Sequence, residues 1–400
     1  MADTLSARQP TITEIGREYL RLHLSDAVGP VMLGRLIAHF GSIDKLKHAS
    51  IDSLTQVEGI GPRRAQAVFN ARDNDIIERE IERAQLAGAH IICWEDDAYP
   101  KQLRHCNDPP VCIYVRGQLQ PADAVSIGIV GSRRSSRYGY DQAHRFGALI
   151  AGAGFTVVSG MARGIDGYAH EGAISAQGRT VAVLGCGVDV VYPPEHGQLA
   201  EQIIACGAII SELPMGSQPT AGSFPSRNRI IAGMTLGTLV VEASNRSGAL
   251  ITARLASEYN REIFAIPGRL DTPTAIGTNS LIQSGSAKLV MGLEDILDEL
   301  GDVGKVMGAA SGSATDKSKE ESSSIAGLAS LSGNERTVVE LLADSEMSID
   351  ELIARSGLSA SEVSVALTLL RIKSTIVELP GNCFALRRTL SATVAHIPHR

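Results

Sequence analysis

The residues with chemistry to offer fall into four short clusters. Gly131-Ser132-Arg133 is followed by Arg134 and Arg137, with no acidic residue until Asp141. Ser159-Gly160 precedes Arg163, Asp166 and His170. Arg227-Asn228-Arg229 forms the third cluster, and Ser247 and Thr252 follow Glu242 in the fourth. Guanidinium forks, hydroxyls and glycine turns that expose backbone N–H groups suit one task above others, which is holding an anion, and phosphate in particular. Arg227 and Arg229 beside the polar Asn228, at a helix start, suit a phosphodiester better than a buried ion pair. Asp166 and His170 lie four apart on one helix face. Such a pair can act as acid and base, but it more commonly braces a helix, so both are assigned a structural role. Glu242 reads either as a catalytic acid or as a carboxylate orienting Arg227 or Arg229, and the second role is preferred. No catalytic residue is assigned.

Other site chemistries find little support. The Gly185–Gly187 pair lacks the third glycine of a dinucleotide fingerprint, and the chain has no G-x-x-x-x-G-K-[ST] motif. G-x-S-x-G and H-E-x-x-H are also missing. The six cysteines include no C-x-x-C pair, which points to small core residues in a reduced, cytoplasmic setting. No metal or cofactor is expected, and no run of apolar residues is long enough for a membrane span. Aromatic residues make up only 4%, which argues against a broad stacking platform for bases. The net charge is −7, yet Val125 to Val290 holds 13 Lys and Arg against 11 Asp and Glu, a balance of +2 that leaves −9 elsewhere. A mildly basic centre in acidic surroundings suits a local anion site.

The elements that must position these clusters follow from periodicity. Six strands are predicted, at Ser126–Val130, Thr156–Val158, Val181–Leu184, Ala208–Ser211, Thr238–Glu242 and Glu262–Ile266, with helical stretches between them. That alternation predicts an α/β fold with a doubly wound parallel sheet, whose ligands sit beyond the carboxyl ends of the strands. The clusters all follow strands or open helices, so they are expected to converge. Glu14 to Ala71 reads as helical, with similar turns at Gly29-Pro30 and Gly59-Ile60-Gly61-Pro62. These look like helix-hairpin-helix units, which either offer N–H groups to a DNA phosphate or serve only as a packing domain. A helix over Asn74–Gly88 and strands at His90–Cys93 and Val111–Arg116 follow. Gly301 to Ser324 lacks apolar periodicity and is predicted to be a flexible linker. Three helices (Asn334–Ala343, Ile349–Ser356, Ala360–Ile372) and a hairpin over Thr375–Leu386 predict a winged helix. Its third helix opens Ser359-Ala360-Ser361-Glu362, which suits protein contact or weak DNA contact better than base reading.

Several motifs, taken together, resemble the DNA-processing protein A (DprA/Smf) family. They are Ile129-Val130-Gly131-Ser132-Arg133 with Ser136-x-Tyr138-Gly139, Ser159-Gly160-x-Ala162-x-Gly164-Ile165-Asp166 with Ala169-His170, Phe224-Pro225-x-Arg227-Asn228-Arg229, and Val241-Glu242-Ala243 with Ser247-Gly248 and Thr252. Pro267-Gly268 and Gly277-Thr278-Asn279 complete the set, which runs from about Pro109 to Val290 without departure from the family pattern. The resemblance implies an extended Rossmann-like core over 107–298, an N-terminal helix-hairpin-helix or SAM-like domain over 14–90, a linker over 301–326 and a winged helix over 328–388. It implies sequence-independent binding of single-stranded DNA, a homodimer, loading of the recombinase RecA during natural transformation, and no catalytic turnover. Carried over by residue, Gly131, Ser132 and Arg133 form the main phosphate pocket, flanked by Ser159, Gly160 and Arg163. Arg227, Asn228 and Arg229 line the groove, with Ser247 and Thr252 beside it. The rival reading is a nucleotide hydrolase similar to the cytokinin-activating LOG group. The turn Asn245–Thr252 lacks the glutamate that chemistry needs.

Overall fold

Runs such as Ile127-Gly128-Ile129-Val130 are buried along their whole length, as strands covered on both faces must be. In the computed structural model they assemble into one nine-stranded sheet. The structure describes residues 12–25, 28–71, 76–314, 333–342, 347–372, 376–379 and 383–386. The chain divides into two units, Met1–Gly312 and Ser313–Arg400.

The strands of the first unit are β1 (Ala89–Cys93), β2 (Cys112–Gly117), β3 (Ser126–Val130), β4 (Thr156–Ser159), β5 (Thr180–Val183), β6 (Ala208–Ser211), β7 (Gly237–Val240), β8 (Glu262–Ala265) and β9 (Lys288–Leu289). Their order is β1-β2-β6-β5-β4-β3-β7-β8-β9. From β6 to β9 every neighbouring pair is parallel, with Ile127 opposite both Val157 and Gly237. β1 and β2 form an antiparallel hairpin on the β6 edge. The doubly wound parallel sheet is therefore as expected. The short strand β9 was not expected, since two residues carry no periodicity to read.

Among the described residues six α-helices precede the sheet: α1 (Glu14–Leu24), α2 (Pro30–Phe40), α3 (Ile43–Lys47), α4 (Ile51–Thr55), α5 (Pro62–Asn70) and α6 (Ile76–Leu86). α2 and α5 both start at Gly-Pro, with Pro placed where a helix has no N–H to satisfy. These helices share one apolar core with the sheet, in which Tyr19, Leu20 and Leu36 join Cys93, Tyr114, Ala182 and Leu184. The N-terminal domain expected to end at residue 90 and the core expected to begin at 107 lie within one unit and share this apolar cluster. β1 carries the chain directly from α6 onto the sheet edge.

The crossover helices are α7 (Arg137–Gly152), α8 (Ile165–Ser175), α9 (Gly197–Cys206), α10 (Ser223–Met234), α11 (Gly248–Glu258) and α12 (Ile276–Gln283), followed by α13 (Leu293–Glu299) and α14 (Gly301–Ala314). α14 corrects the linker prediction over its first 14 residues. Gly304 lies against the Leu297 backbone, and Met307 packs on the cluster that holds Phe146, Ile150 and Ile296. A tertiary surface supplies the helix there, where amphipathic periodicity is weak. The remainder of the predicted linker lies outside the described residues.

In the second unit, helices Gly333–Leu342, Ile349–Ser356 and Ala360–Ile372 pack around Val338, Leu352, Val363 and Phe384. A three-stranded sheet of Met347–Ser348, Cys383–Leu386 and Ile376–Leu379 completes a winged helix. The expected hairpin is present, and its turn at residues 380–382 lies outside the described residues. Ser359 and Glu362 cap each other's backbone N–H groups (2.9 and 3.3 Å), so the opening of the third helix is a capping box.

Candidate functional site

β3 lies between β4 and β7, and the connections from β3 and β7 leave in opposite directions. This is the switch point of the sheet, where loops diverge and open a crevice beyond the strand ends. A cavity of about 720 Å³ occupies it. Its floor is Val130-Gly131 at the end of β3, one wall is the start of α10, and the other is the turn Ser244–Gly248 and the start of α11. Two helix N-termini therefore face the same space and make it favourable for negative charge.

Most of the predicted phosphate residues meet here. Gly131, Ser132, Arg133, Arg227, Asn228, Ser247 and Thr252 all line the cavity, with Asp166. The Ser132 hydroxyl accepts from Arg134 N (3.1 Å), folding the loop into a tight turn. Arg133 is exposed, and its guanidinium stands 4.5 Å above the centre of the Phe224 ring. Ser247 caps α11, Thr252 donates to Gly248 O (3.4 Å), and Asn228 Nδ2 donates to Gly248 O (3.3 Å). Arg227 is buried beneath the cavity. It donates to Gly160 O (2.6 Å) and to Val183 O, tying together the ends of β4 and β5. Asp166 is the only acidic side chain of the lining. Burial raises its carboxyl above the usual range, and Arg227 and Arg133 oppose the shift.

Other predicted residues lie elsewhere. Ser159 is fully buried and donates to Ile129 O (2.6 Å), so it stitches β4 to β3 rather than binding an anion. Gly160 is the seat of Arg227. A Cβ there would lie 2.3 Å from the guanidinium, so the position serves close approach rather than a ligand. Arg163 opens into a neighbouring cleft and is paired with Glu195 through Nη2 (3.0 Å) and Nε. Arg229 is buried on the far side of α10, between Glu212 and Asp108 (Nε–Oδ2 3.2 Å), and Tyr259 donates to the same Asp108 (2.8 Å). Two residues apart on a helix point about 200° apart, so Arg227 and Arg229 cannot share a wall. Glu242 does not orient either arginine. It accepts from Ser136 N (2.9 Å), Ser136 Oγ (2.5 Å) and Thr274 Oγ1 (3.2 Å), which fixes the start of α7.

His170 is a core residue. The Thr180 hydroxyl donates to Val157 O (2.8 Å), so it accepts from His170 Nδ1 (2.7 Å) and sets the tautomer. Burial, helped by His196 and Arg227, pushes the imidazole down to about 3, so it is neutral. Asp166 and His170 form no hydrogen bond with each other.

Three wall features escaped the sequence. Arg134 joins the lining, although only Arg133 of the cluster had been assigned a role. Phe224 and Tyr192 stand with ring centres 5.7 Å apart, and both line the cavity. The low aromatic content argued against stacking, but one or two well-placed rings are enough to seat one base. Phe224 is the second residue of the segment Ser223–Arg229, SFPSRNR, which was the available signal. The segment Pro219–Ala221 closes the rim. Guanidinium, hydroxyl and backbone donors for a phosphate thus stand beside an aromatic face.

Comparison with known proteins agrees with this architecture. The profile of the DNA recombination-mediator protein A family matches residues 90–301, that of the DprA winged helix domain matches 323–382, and a helix-hairpin-helix motif matches 26–77. Protein Smf of Synechocystis sp. is 39% identical over 278 residues, covering 68% of this chain and 70% of that protein. Protein Smf of Escherichia coli is 40% identical over 256 residues, covering 64% and 68%. The X-ray structure of DNA processing protein A from Streptococcus pneumoniae superposes with a TM-score of 0.63 at 32% identity, covering 72% of this chain and 99% of that one. The chain belongs to the DNA recombination-mediator protein A family, the DprA/Smf proteins.

Proposed function

We propose that this protein binds single-stranded DNA without sequence preference, protects incoming strands and passes them to the RecA recombinase during transformation and recombination. One observation carries the reading. The switch-point cavity is lined by Arg133, Arg134 and Arg227 and by two helix starts, against a single buried acid, Asp166. A phosphodiester seated on the Gly131–Arg133 loop would meet the exposed Arg133 fork, with the Phe224 ring behind it to take a base face. Phosphates carry no base identity, so binding on these contacts tolerates any sequence and weakens as salt rises.

The family description, a recombination mediator, supports a recombinase as the partner. One cavity spans few nucleotides, so a homodimer would gain affinity by holding one strand at two places. Among the described residues no helix is long and apolar enough to cross a membrane. Asp166, the acid of the cavity lining, is buried beside Arg227, and Glu242 is held by Ser136, which favours binding over turnover.

The test is fluorescence anisotropy with labelled oligo-dT, single-stranded against duplex, over a salt series. Tight, salt-steep binding of the single strand is expected, followed by faster RecA assembly on the bound strand. No single-strand binding at low salt would overturn the reading.

A further inference from the structure

Beside the main cavity lies a second cleft of about 320 Å³, less than half its size. Arg133 and Arg134 line both spaces, so the arginine turn is a partition with a face in each. The cleft's far wall is the start of α8 with Arg163, Glu195 and His196. The two loops are joined at the back, where Ile165 N donates to Ser132 O (3.2 Å). Gly164 holds φ +77°, and a Cβ there would come within 2.3 Å of Ser132 O. The partition between the two spaces is therefore anchored to the α8 start.

The charge in the two spaces differs. The main cavity sets three arginines against one buried acid. In the cleft Arg133, Arg134 and Arg163 face Glu171 and Glu195. Glu195 holds the fork of Arg163 in a two-point pair, the geometry a phosphodiester would use. Both side chains are about half exposed, so the pair is open to exchange with a solvent-borne anion. His196 Nδ1 donates to Met161 O (3.0 Å), which fixes the residue after Glu195 to the same loop as Arg163.

We propose that the cleft is a second phosphodiester subsite, continuous with the main cavity across Arg133–Arg134, and that Glu195 is a built-in phosphate mimic that occupies Arg163 until a strand displaces it. This rests on the single-strand reading of the main cavity. Displacement leaves Glu195 to regain its own counterion, so wild-type binding releases fewer ions than its phosphate contacts alone would.

The experiment is anisotropy of the full-length protein with oligo-dT over a salt series, comparing wild type, Glu195→Gln, Arg163→Ala and the double variant. Glu195→Gln should bind about three- to five-fold more tightly at 0.1 M salt, with a slope steeper by up to ~0.7. The double variant should lose that gain. Both side chains are exposed, so folding is not at risk. The proposal is overturned if Glu195→Gln matches wild type in affinity and slope, or if the double variant keeps the full gain, which would mark a general charge effect. In either case Arg133→Ala still weakens binding. If Arg133→Ala also binds as wild type does, the single-strand reading of the main cavity itself is lost.

Discussion

Arg133→Ala tests the site directly, and its size can be worked from the surroundings of the side chain. Arg133 is exposed, rests on the Phe224 ring and has no carboxylate within ion-pair distance among the described residues. Truncation therefore strands no buried partner, and stability should change by about 1 kcal/mol at most, the worth of an exposed cation–π contact. Loss of one phosphate contact lowers the salt slope of single-strand binding by about 0.7 and, at 0.1 M salt, the affinity by about five-fold. Loss of a hydrogen bond worth ~1 kcal/mol would extend this to about 30-fold. Arg133→Lys should restore the slope but not the full affinity, since the ammonium lacks the planar fork. The assay is anisotropy with oligo-dT from 50 to 300 mM salt, with a urea midpoint as the folding control. An Arg133→Ala protein with wild-type stability, affinity and slope would refute the assignment.

Three further outcomes are expected. Phe224→Leu should weaken oligo-dT binding by about 1–3 kcal/mol while leaving the salt slope unchanged, because a ring supplies stacking and no charge. An altered slope would mean the ring acts by positioning Arg133. Arg229→Ala should destabilise the fold by about 3–5 kcal/mol in urea, since it leaves Glu212 and Asp108 facing each other without their cation. Binding by the folded fraction should keep the wild-type slope, and a reduced slope would return Arg229 to the groove. His170 has a folded pKa pushed down to about 3, so its stabilising contribution is complete above the unfolded value of about 6.5 and is lost as pH falls towards 3. Between pH 6.5 and 5 this costs about 2 kcal/mol, and the pH dependence of urea unfolding should be flatter by that amount in His170→Asn. Parallel profiles would show that the imidazole is not held neutral.

The strand-and-helix alternation, the parallel sheet, the winged helix and the glycine turns at the strand ends were all legible in the residue pattern. Each of these is a local pattern. Apolar runs of four or five residues ask for cover on both faces, and Gly-Pro or Ser-x-x-Glu spacings start helices wherever they occur. The loops that carry Arg133, Arg227 and Ser247 could be placed at one end of the sheet for the same reason, because doubly wound sheets bring those ends together. Side-chain direction was a matter for the tertiary structure. Arg227 and Arg229 look equivalent in the segment SFPSRNR, yet the helix turns one under the cavity and the other into a carboxylate clamp with Asp108, 121 positions earlier. Ser159 and Glu242 have site-like identities at strand ends, but their partners, Ile129 O and Ser136, belong to other elements. Gly301 to Ala314 shows no pattern to read, and its helix is anchored at Met307 on a cluster of distant residues that includes Phe146 and Ile150. What a polar side chain faces depends on contacts made across the sheet. That pairing is settled only when strands far apart in sequence come into register.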